Sequence, residues 1–346
     1  MTCCWSSRKK ATKVSIRHRA LPPLVERGGA GYVGGNFPVC KSLMQDQQPP
    51  LYPPGTSFSR RARHYLSNLL IVGIIRLALA LPYRTRLRFV GGLVQHVLAP
   101  LAGYRSRTFA NLELIWPELT MPRRREITAG CLNNLGRAFI ENYSARDFPQ
   151  RMAQNVPHGA GVQALNDAAA AGQPVILVTG HYGNYEAARA TLVAQGYDIG
   201  GLYRDMKNPF FNRHYVKTLE AFGGPVFPQG RRGTAGFVRH LRQGGQLVLL
   251  FDQHVQGAPA LDFIGQPART ALSAAELALR YDALLIPFYG IRRADGVSFD
   301  VRLDAPIPHS DPTTMTQALN DNLAAQIIAQ PEQWFWVHRR WRAHEP

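Results

Sequence analysis

From residue 162 onward the sequence alternates short runs of consecutive apolar residues with longer stretches in which apolar positions recur every three or four residues. Short apolar runs bounded by Gly, Pro or polar clusters mark buried strands, and the longer period marks amphipathic helices. The pattern predicts strands at 174–179, 197–203, 225–228, 246–252, 283–290 and 297–303. Helices are predicted at 162–171, 183–195, 209–222, 234–243, 270–281 and 313–330. Such alternation argues for an α/β fold: a mainly parallel, twisted sheet with helices on both faces and an antiparallel edge.

Upstream the pattern is helical. Amphipathic helices are predicted at 105–114 and 123–143 around the Trp116-Pro117 break, with a glycine-containing apolar helix at 87–101. Ahead of them the apolar run 65–81 is 17 residues long, the lower limit for crossing a bilayer. Arg76 in its second half is costly in hydrocarbon. Arg60, Arg61 and Arg63 precede the run and Arg84, Arg86 and Arg88 follow it. These flanks favour a membrane-associated anchor helix, spanning once or lying in the interface, over a buried soluble helix. The run starts too late, and lacks the cleavage pattern, for a secretory signal. The predicted division is a basic arm and Pro-rich linker at 1–59, an anchor at 60–82 and a folded domain at 83–346.

Residues 1–43 carry eight Lys or Arg against the single acid Glu26 and no sustained apolar period, as in a disordered arm. Its G-x-G-x-x-G spacing at 29–34 is in the wrong context for a dinucleotide, since Pro22 and Pro23 break the preceding strand and Pro38 the following helix.

Composition narrows the picture. The 346 residues are 45% apolar, enough for a large core, and the net charge of +17 calls for an anionic partner. Nucleic acid is the weakest choice, because no zinc-finger spacing, RNA-binding aromatic motif or basic zipper accompanies the charge. An anionic membrane surface or anionic glycolipid fits better. Cys3, Cys4, Cys40 and Cys131 form no metal or disulfide spacing, which agrees with a reduced, cytoplasm-facing domain.

Candidate chemistry centres on 174–190. His181 follows the strand 174–179 and so sits at the carboxyl edge of the sheet, where open α/β sheets bind ligands. Gly180 and Gly183 would let a substrate approach the backbone. Glu186 falls in the first turn of the next helix, where the dipole favours a carboxylate, and the turn could bring it to one imidazole nitrogen. No G-x-S-x-G elbow or neighbouring cysteine supplies a nucleophile, so His181 reads as a general base acting on a substrate hydroxyl.

HYGNYE has the form H-x4-E, and it is joined by Arg107-x3-Asn111-Leu112-x3-Trp116-Pro117, Tyr203-Arg204-x2-Lys207-Asn208-Pro209, Leu249 to Gln253 and Pro331 to Arg340. These blocks, in this order, resemble the lipid A biosynthesis lauroyl/myristoyl acyltransferases of the lysophospholipid acyltransferase superfamily. The resemblance covers the chain from about residue 62. It implies His181 as general base, Glu186 as its partner and Arg204 as an oxyanion or acyl-carrier contact. It further implies an inner-membrane enzyme facing the cytoplasm, an acyl-carrier-protein or coenzyme A thioester as co-substrate, a lipid A precursor as acceptor and no other cofactor. Gln253 inherits no role.

Lys207 and Arg213 lie close to Arg204 and strengthen the case for an anionic ligand, with Asn208 a further candidate substrate contact. Arg204 itself could instead pair with Asp205. Asp252 ends the strand 246–252 and reads as a hydrogen-bonding wall of the pocket; with His254 it offers only two metal ligands, so no metal is expected. Arg339 and Arg340 lie among Trp334, Trp336 and Trp341, which suits a phosphorylated glycolipid or a membrane interface, or else packing of the tryptophans. Rival readings are transfer to a lysophospholipid or another glycolipid, thioester hydrolysis, and a non-catalytic membrane-associated binding protein.

Overall fold

The computed structural model describes residues 51–342 except 53 and 54; the arm at 1–43 and its glycine motif lie outside them. The helical portion comes first: α1 (Phe58–Leu79), α2 (Tyr83–Leu93), one π-helical turn (Val94–Leu98) leading into α3 (Ala99–Leu101), α4 (Tyr104–Ile115), α5 (Met121–Tyr143), α6 (Phe148–Met152) and α7 (Gly161–Ala171). The alternating portion follows: β1 (Val175–Thr179), α8 (Tyr185–Ala194), β2 (Ile199–Tyr203), α9 (Pro209–Glu220), β3 (Val226–Pro228), α10 (Arg231–Arg242) and β4 (Gln246–Leu250). A hairpin, β5 (Ala260–Phe263) and β6 (Gln266–Arg269), precedes α11 (Ser273–Tyr281), β7 (Leu284–Arg292), β8 (Phe299–Leu303) and α12 (Pro312–Ala329).

The six-stranded sheet has the order β3-β2-β4-β1-β7-β8, and only the β7–β8 pairing is antiparallel. All five residues of β1 are buried, because its two faces pack against different helices. Ile176 and Val178 share a core with Phe237 and Leu241 of α10, Ala275 of α11 and Leu319 and Leu323 of α12. Val175 and Leu177 face Leu165 and Ala168 of α7 and Ala188 and Leu192 of α8. A parallel strand covered on both sides cannot alternate polar and apolar residues, which is why β1 reads as an unbroken apolar run. The chain leaves β1 toward β2 on one side and returns through β7 on the other, so a crevice opens at the carboxyl ends of β1 and β4.

The hairpin was not expected from the sequence. Its two-residue loop, Ile264 and Gly265, has φ of 55° and 74°, the primed-turn geometry that usually announces itself as Asn-Gly or Asp-Gly. A β-branched first residue and Pro267 on β6 hide it. The helix predicted at 87–101 is present and begins earlier, at Tyr83, with a π turn at Val94–Leu98 inside it.

Helix α1 spans 22 residues, and only 11% of its most apolar window is buried. Ile75 and Ala78, near its end, join a core with Leu87 and Val90 of α2 and Ile140 and Tyr143 of α5. Phe58, Leu66, Leu69, Leu70 and Leu77 stay exposed, as does Arg76. The helix is thus seated on the domain at its carboxyl end and touches α9 through Tyr65 and Ser67, with one apolar side left bare. Tyr52, within the stretch read as linker, is also seated: it hydrogen-bonds His64 Nδ1 at 3.0 Å and meets Phe210 edge-on.

Candidate active site

Parallel register builds the site. Thr179 of β1 lies opposite Leu250 of β4, so two residues further on His181 is level with Asp252. The imidazole Nδ1 and Asp252 Oδ1 are 2.7 Å apart, and the His181 backbone N–H donates to Oδ2 at 2.7 Å. The indole Nε1–H of Trp334 donates to Oδ2 at 2.9 Å. Burial pushes the Asp252 carboxyl up, but the adjacent His181 ring, both His181 hydrogen bonds and the indole outweigh it and hold the group at about 2. An ionised Asp252 accepts from Nδ1–H, which leaves Nε2 with the lone pair that a general base needs.

Here the structure corrects the expected pairing. No hydrogen bond joins Glu186 to His181. The buried Glu186 carboxylate accepts instead from Arg189 Nε at 2.8 Å, and Arg189 donates on to the carbonyls of Gly223 at 2.7 Å and Leu219 at 3.5 Å. Glu186 therefore ties the start of α8 to the corner between α9 and β3, and Asp252 occupies the place assigned to it beside the imidazole.

The turn around His181 is tight because the protein, not a substrate, comes close to its glycines. A Cβ on Gly180 would meet Leu323 Cδ2 at 2.5 Å and Asp252 Oδ2 at 3.0 Å. Gly183 has φ of 57°, and a Cβ there would meet the Gly290 carbonyl oxygen at 2.1 Å. Asn184 caps α8 through Oδ1, accepting from the Glu186 N–H at 3.1 Å, while its Nδ2 donates to Glu141 at 2.9 Å. Glu141, wholly buried in α5, takes both guanidinium arms of Arg292, at 2.5 and 2.7 Å.

His181 opens onto a cavity of about 190 Å³ lined by Cys131, Leu135, Ala138, Phe139, Trp334 and Phe335, with Asn134 and Asn142 among its polar members. This volume lies below the roughly 300–1,000 Å³ that encloses a whole ligand. It suits one end of an apolar chain whose remainder lies outside. Cys131, though distant in sequence, thus shares the cavity with His181. Burial pushes its thiol up to about 12 and Sγ donates to the Trp334 carbonyl at 3.2 Å, so it is a wall and not a thiolate nucleophile.

The C-terminal block is structural in most of its members. Trp334 and Trp336 are buried, and Trp341 donates to the Phe263 carbonyl at 3.2 Å. Arg340, read as a substrate contact, is 0% exposed: it donates to the Arg269 carbonyl and the Thr270 hydroxyl, each at 2.6 Å, and lies over the Phe263 ring. A cation with a long stem buries well when carbonyls and an aromatic face receive its head. Arg339 is exposed. Arg107 and Asn111, from the first block, reach across to the carbonyls of Val337, Trp336 and His338 at 3.2, 2.7 and 2.8 Å.

Arg204 and Lys207 stand exposed on the connection from β2 to α9, at the same carboxyl edge as His181. No ion pair joins Arg204 to Asp205, whose carboxylate accepts from Asn212 at 2.9 Å. Asn208 is a cap: Oδ1 accepts from the N–H groups of Phe210 and Phe211, and Nδ2 holds the His64 carbonyl of α1 at 2.7 Å. Next to Asp252, the His254 ring turns away to Gln256 at 3.3 Å.

The chain is similar to several known proteins. The chain is 25% identical over 285 residues to the lipid A biosynthesis lauroyltransferase of Escherichia coli (strain K12), covering 80% of this chain and 92% of that protein. It is 22% identical over 289 residues to a lipid A biosynthesis acyltransferase of Haemophilus influenzae, covering 83% and 91%. Over 187 residues it is 26% identical to the phosphatidylinositol mannoside acyltransferase of Mycobacterium tuberculosis, covering 53% of this chain and 59% of that one. Residues 54–343 match the model of the family described as bacterial lipid A biosynthesis acyltransferase, and the chain belongs to that family.

Proposed function

We propose that the protein is a membrane-associated O-acyltransferase that moves a fatty acyl chain from an acyl-carrier-protein thioester to a hydroxyl of a lipid A precursor, at the cytoplasmic face of the inner membrane. The observation that carries this reading is a histidine that lines an apolar cavity, with Nδ1 held by a buried carboxylate and Nε2 left as its other ring nitrogen. Nε2 takes the proton from the acceptor hydroxyl as its oxygen attacks the thioester carbonyl. The tetrahedral oxyanion then collapses, the C–S bond breaks, and the leaving thiolate takes the proton back from Nε2–H. That sequence uses no covalent enzyme intermediate and no cofactor beyond the thioester.

Charge supports an anionic donor carrier and an anionic acceptor. Arg204, Lys207, Arg231 and Arg232 are exposed beyond the carboxyl ends of β2 and β3, with no carboxylate paired to any of them among the described residues. A coenzyme A thioester would bring phosphates to the same cations. Similarity to a phosphatidylinositol mannoside acyltransferase keeps a second acceptor class, another phosphorylated glycolipid, as the alternative.

Purified protein incubated with acyl carrier thioester and lipid A precursor should give an acylated product by mass spectrometry, and His181→Ala should give none. Transfer at the wild-type rate by His181→Ala would overturn the mechanism. Ala138→Phe, which fills the cavity beside His181, should shift preference toward shorter acyl chains in a donor competition; an unchanged chain-length profile would remove the acyl chain from that cavity.

The bare side of α1 supplies the membrane test. Changing the exposed Leu66, Leu69 and Leu70 to serine removes apolar surface without opening the core. The variant should move from the membrane to the supernatant in high salt, where the cationic contribution is screened. Retention in the pellet would place the membrane contact elsewhere.

A further inference from the structure

We infer that the side-chain amide of Gln253 is the oxyanion donor of the reaction, exchanging its hydrogen bond from His181 Nε2 to the thioester carbonyl oxygen when the acceptor hydroxyl arrives. This rests on the acyl-transfer reading of the site. Gln253 directly follows Asp252, and its Nε2 lies 3.4 Å from His181 Nε2. With Nδ1 engaged by Asp252, His181 Nε2 is the reacting nitrogen, and an amide N–H is what its lone pair can accept. The side chain is exposed and makes no other hydrogen bond among the described residues.

Several backbone donors around His181 are engaged within the protein. The His181 N–H goes to Asp252, that of Gly183 to the Gln333 carbonyl at 2.9 Å, and that of Asn184 to the Gly290 carbonyl at 2.9 Å. The Glu186 N–H goes to Asn184 Oδ1 at 3.1 Å. On the other side of the dyad, the His254 N–H donates to His338 Nε2 at 2.9 Å. Burial, the largest influence on His338, lowers it to about 4, so that ring is neutral near pH 7 and keeps the lone pair this bond needs. The Gln253 carbonyl accepts from buried Arg340 at 3.4 Å. The backbone of Gln253 is therefore pinned on both sides while its amide stays free to move.

The exchange follows from the geometry of addition. The attacking oxygen must sit where Nε2 can take its proton, which is where the Gln253 amide now donates. The oxyanion is bonded to the same carbon that this oxygen attacks, so a displaced amide needs only a small rotation to reach it. The C=O electron pair moves to oxygen as the new C–O bond forms and the proton passes to Nε2; the pair returns as the C–S bond breaks and the thiolate leaves with that proton. A long, weak resting bond costs little to exchange.

Gln253→Met keeps the length of the side chain and removes its donors. It should lower kcat roughly 10²- to 10³-fold, the usual loss for one oxyanion donor, with KM for both substrates within about threefold. Gln253→Glu should fall further and move the acidic limb of the pH–rate profile to higher pH, because a carboxylate beside Nε2 favours the imidazolium and opposes the oxyanion. Retention of kcat within twofold in Gln253→Met, or a loss confined to KM, would overturn the inference. A second measurement does not use transfer: diethylpyrocarbonate modification of His181, followed by peptide mass spectrometry, should be severalfold faster in Gln253→Met because Nε2 is uncovered. An unchanged rate would overturn the inference even if the wild-type protein proved inactive on the donor and acceptor tried, a result that would count separately against the acyl-transfer reading.

Discussion

Asp252→Asn is expected to lower turnover by roughly 10³- to 10⁴-fold with little change in fold, the scale seen when an orienting carboxylate becomes an amide. An amide can present its N–H to Nδ1, which selects the tautomer with the proton on Nε2 and removes the base. Asparagine also leaves the Trp334 indole or the His181 N–H with a poorer acceptor, so a modest stability loss accompanies the change. The wild-type carboxyl is held at about 2 against an ordinary 3.8, so the folded state favours its ionised form. That contribution, about 2 kcal/mol, is present above the ordinary value and is lost as pH falls through about 2; Asp252→Asn should lack this acid-dependent component.

Glu186→Gln should behave in the opposite way: Arg189 keeps a hydrogen-bond acceptor but loses its counter-charge, so melting temperature falls while the folded enzyme turns over near the wild-type rate. Steady-state kinetics and thermal melts on both variants separate the roles. An Asp252→Asn enzyme within tenfold of wild type, beside an inactive but normally stable Glu186→Gln, would restore Glu186 as the partner of the base.

The largest stability effect is expected from Glu141→Ala. Its carboxylate is fully buried and is the only charged partner of Arg292 among the described residues, the Arg292 side chain being 4% exposed; it also receives the Asn184 amide. Truncation strands a buried guanidinium and an amide donor together, at a cost of roughly 3–5 kcal/mol for the broken pair. For a domain of this size that corresponds to roughly 10 °C in melting temperature. Activity should fall with it, because Asn184 caps the helix that follows the His181 turn. Glu141→Leu combined with Arg292→Met, which removes both charges, should recover much of the loss. A Glu141→Ala protein that melts within about 2 °C of wild type would show that the pair carries little.

What the sequence conveyed and what it hid divide along a physical line. Strand β1, helix α8 and the alternation that follows are recorded in runs and periods only a few residues long, so they are legible, and so is the placement of His181 at a carboxyl edge. The partner of His181 is not recorded locally. Asp252 is 71 residues away, and β2 and β3 intervene in sequence although β4 is the spatial neighbour of β1. Glu186, five positions on, was the nearer candidate, and nothing local reveals that Arg189 claims it. Arg340 misled for a related reason: a run of cations reads as exposed, and the Gln253 and Arg269 carbonyls, the Thr270 hydroxyl and the Phe263 ring that make its burial tolerable are brought in from far upstream.

The reach of Trp334 to Asp252 also orders the birth of the enzyme. The indole is 82 residues downstream of the carboxylate it steadies, and the carbonyls after it are caught by Arg107 and Asn111, which are made more than 200 residues earlier. At roughly 5–20 residues per second on the ribosome, Asp252 waits on the order of 4–16 seconds before this last donor is synthesised. Until then the nascent chain carries His181 and Asp252 without the indole that steadies the carboxylate, so the hydrogen-bonded group is complete only once that far stretch has been made and docked.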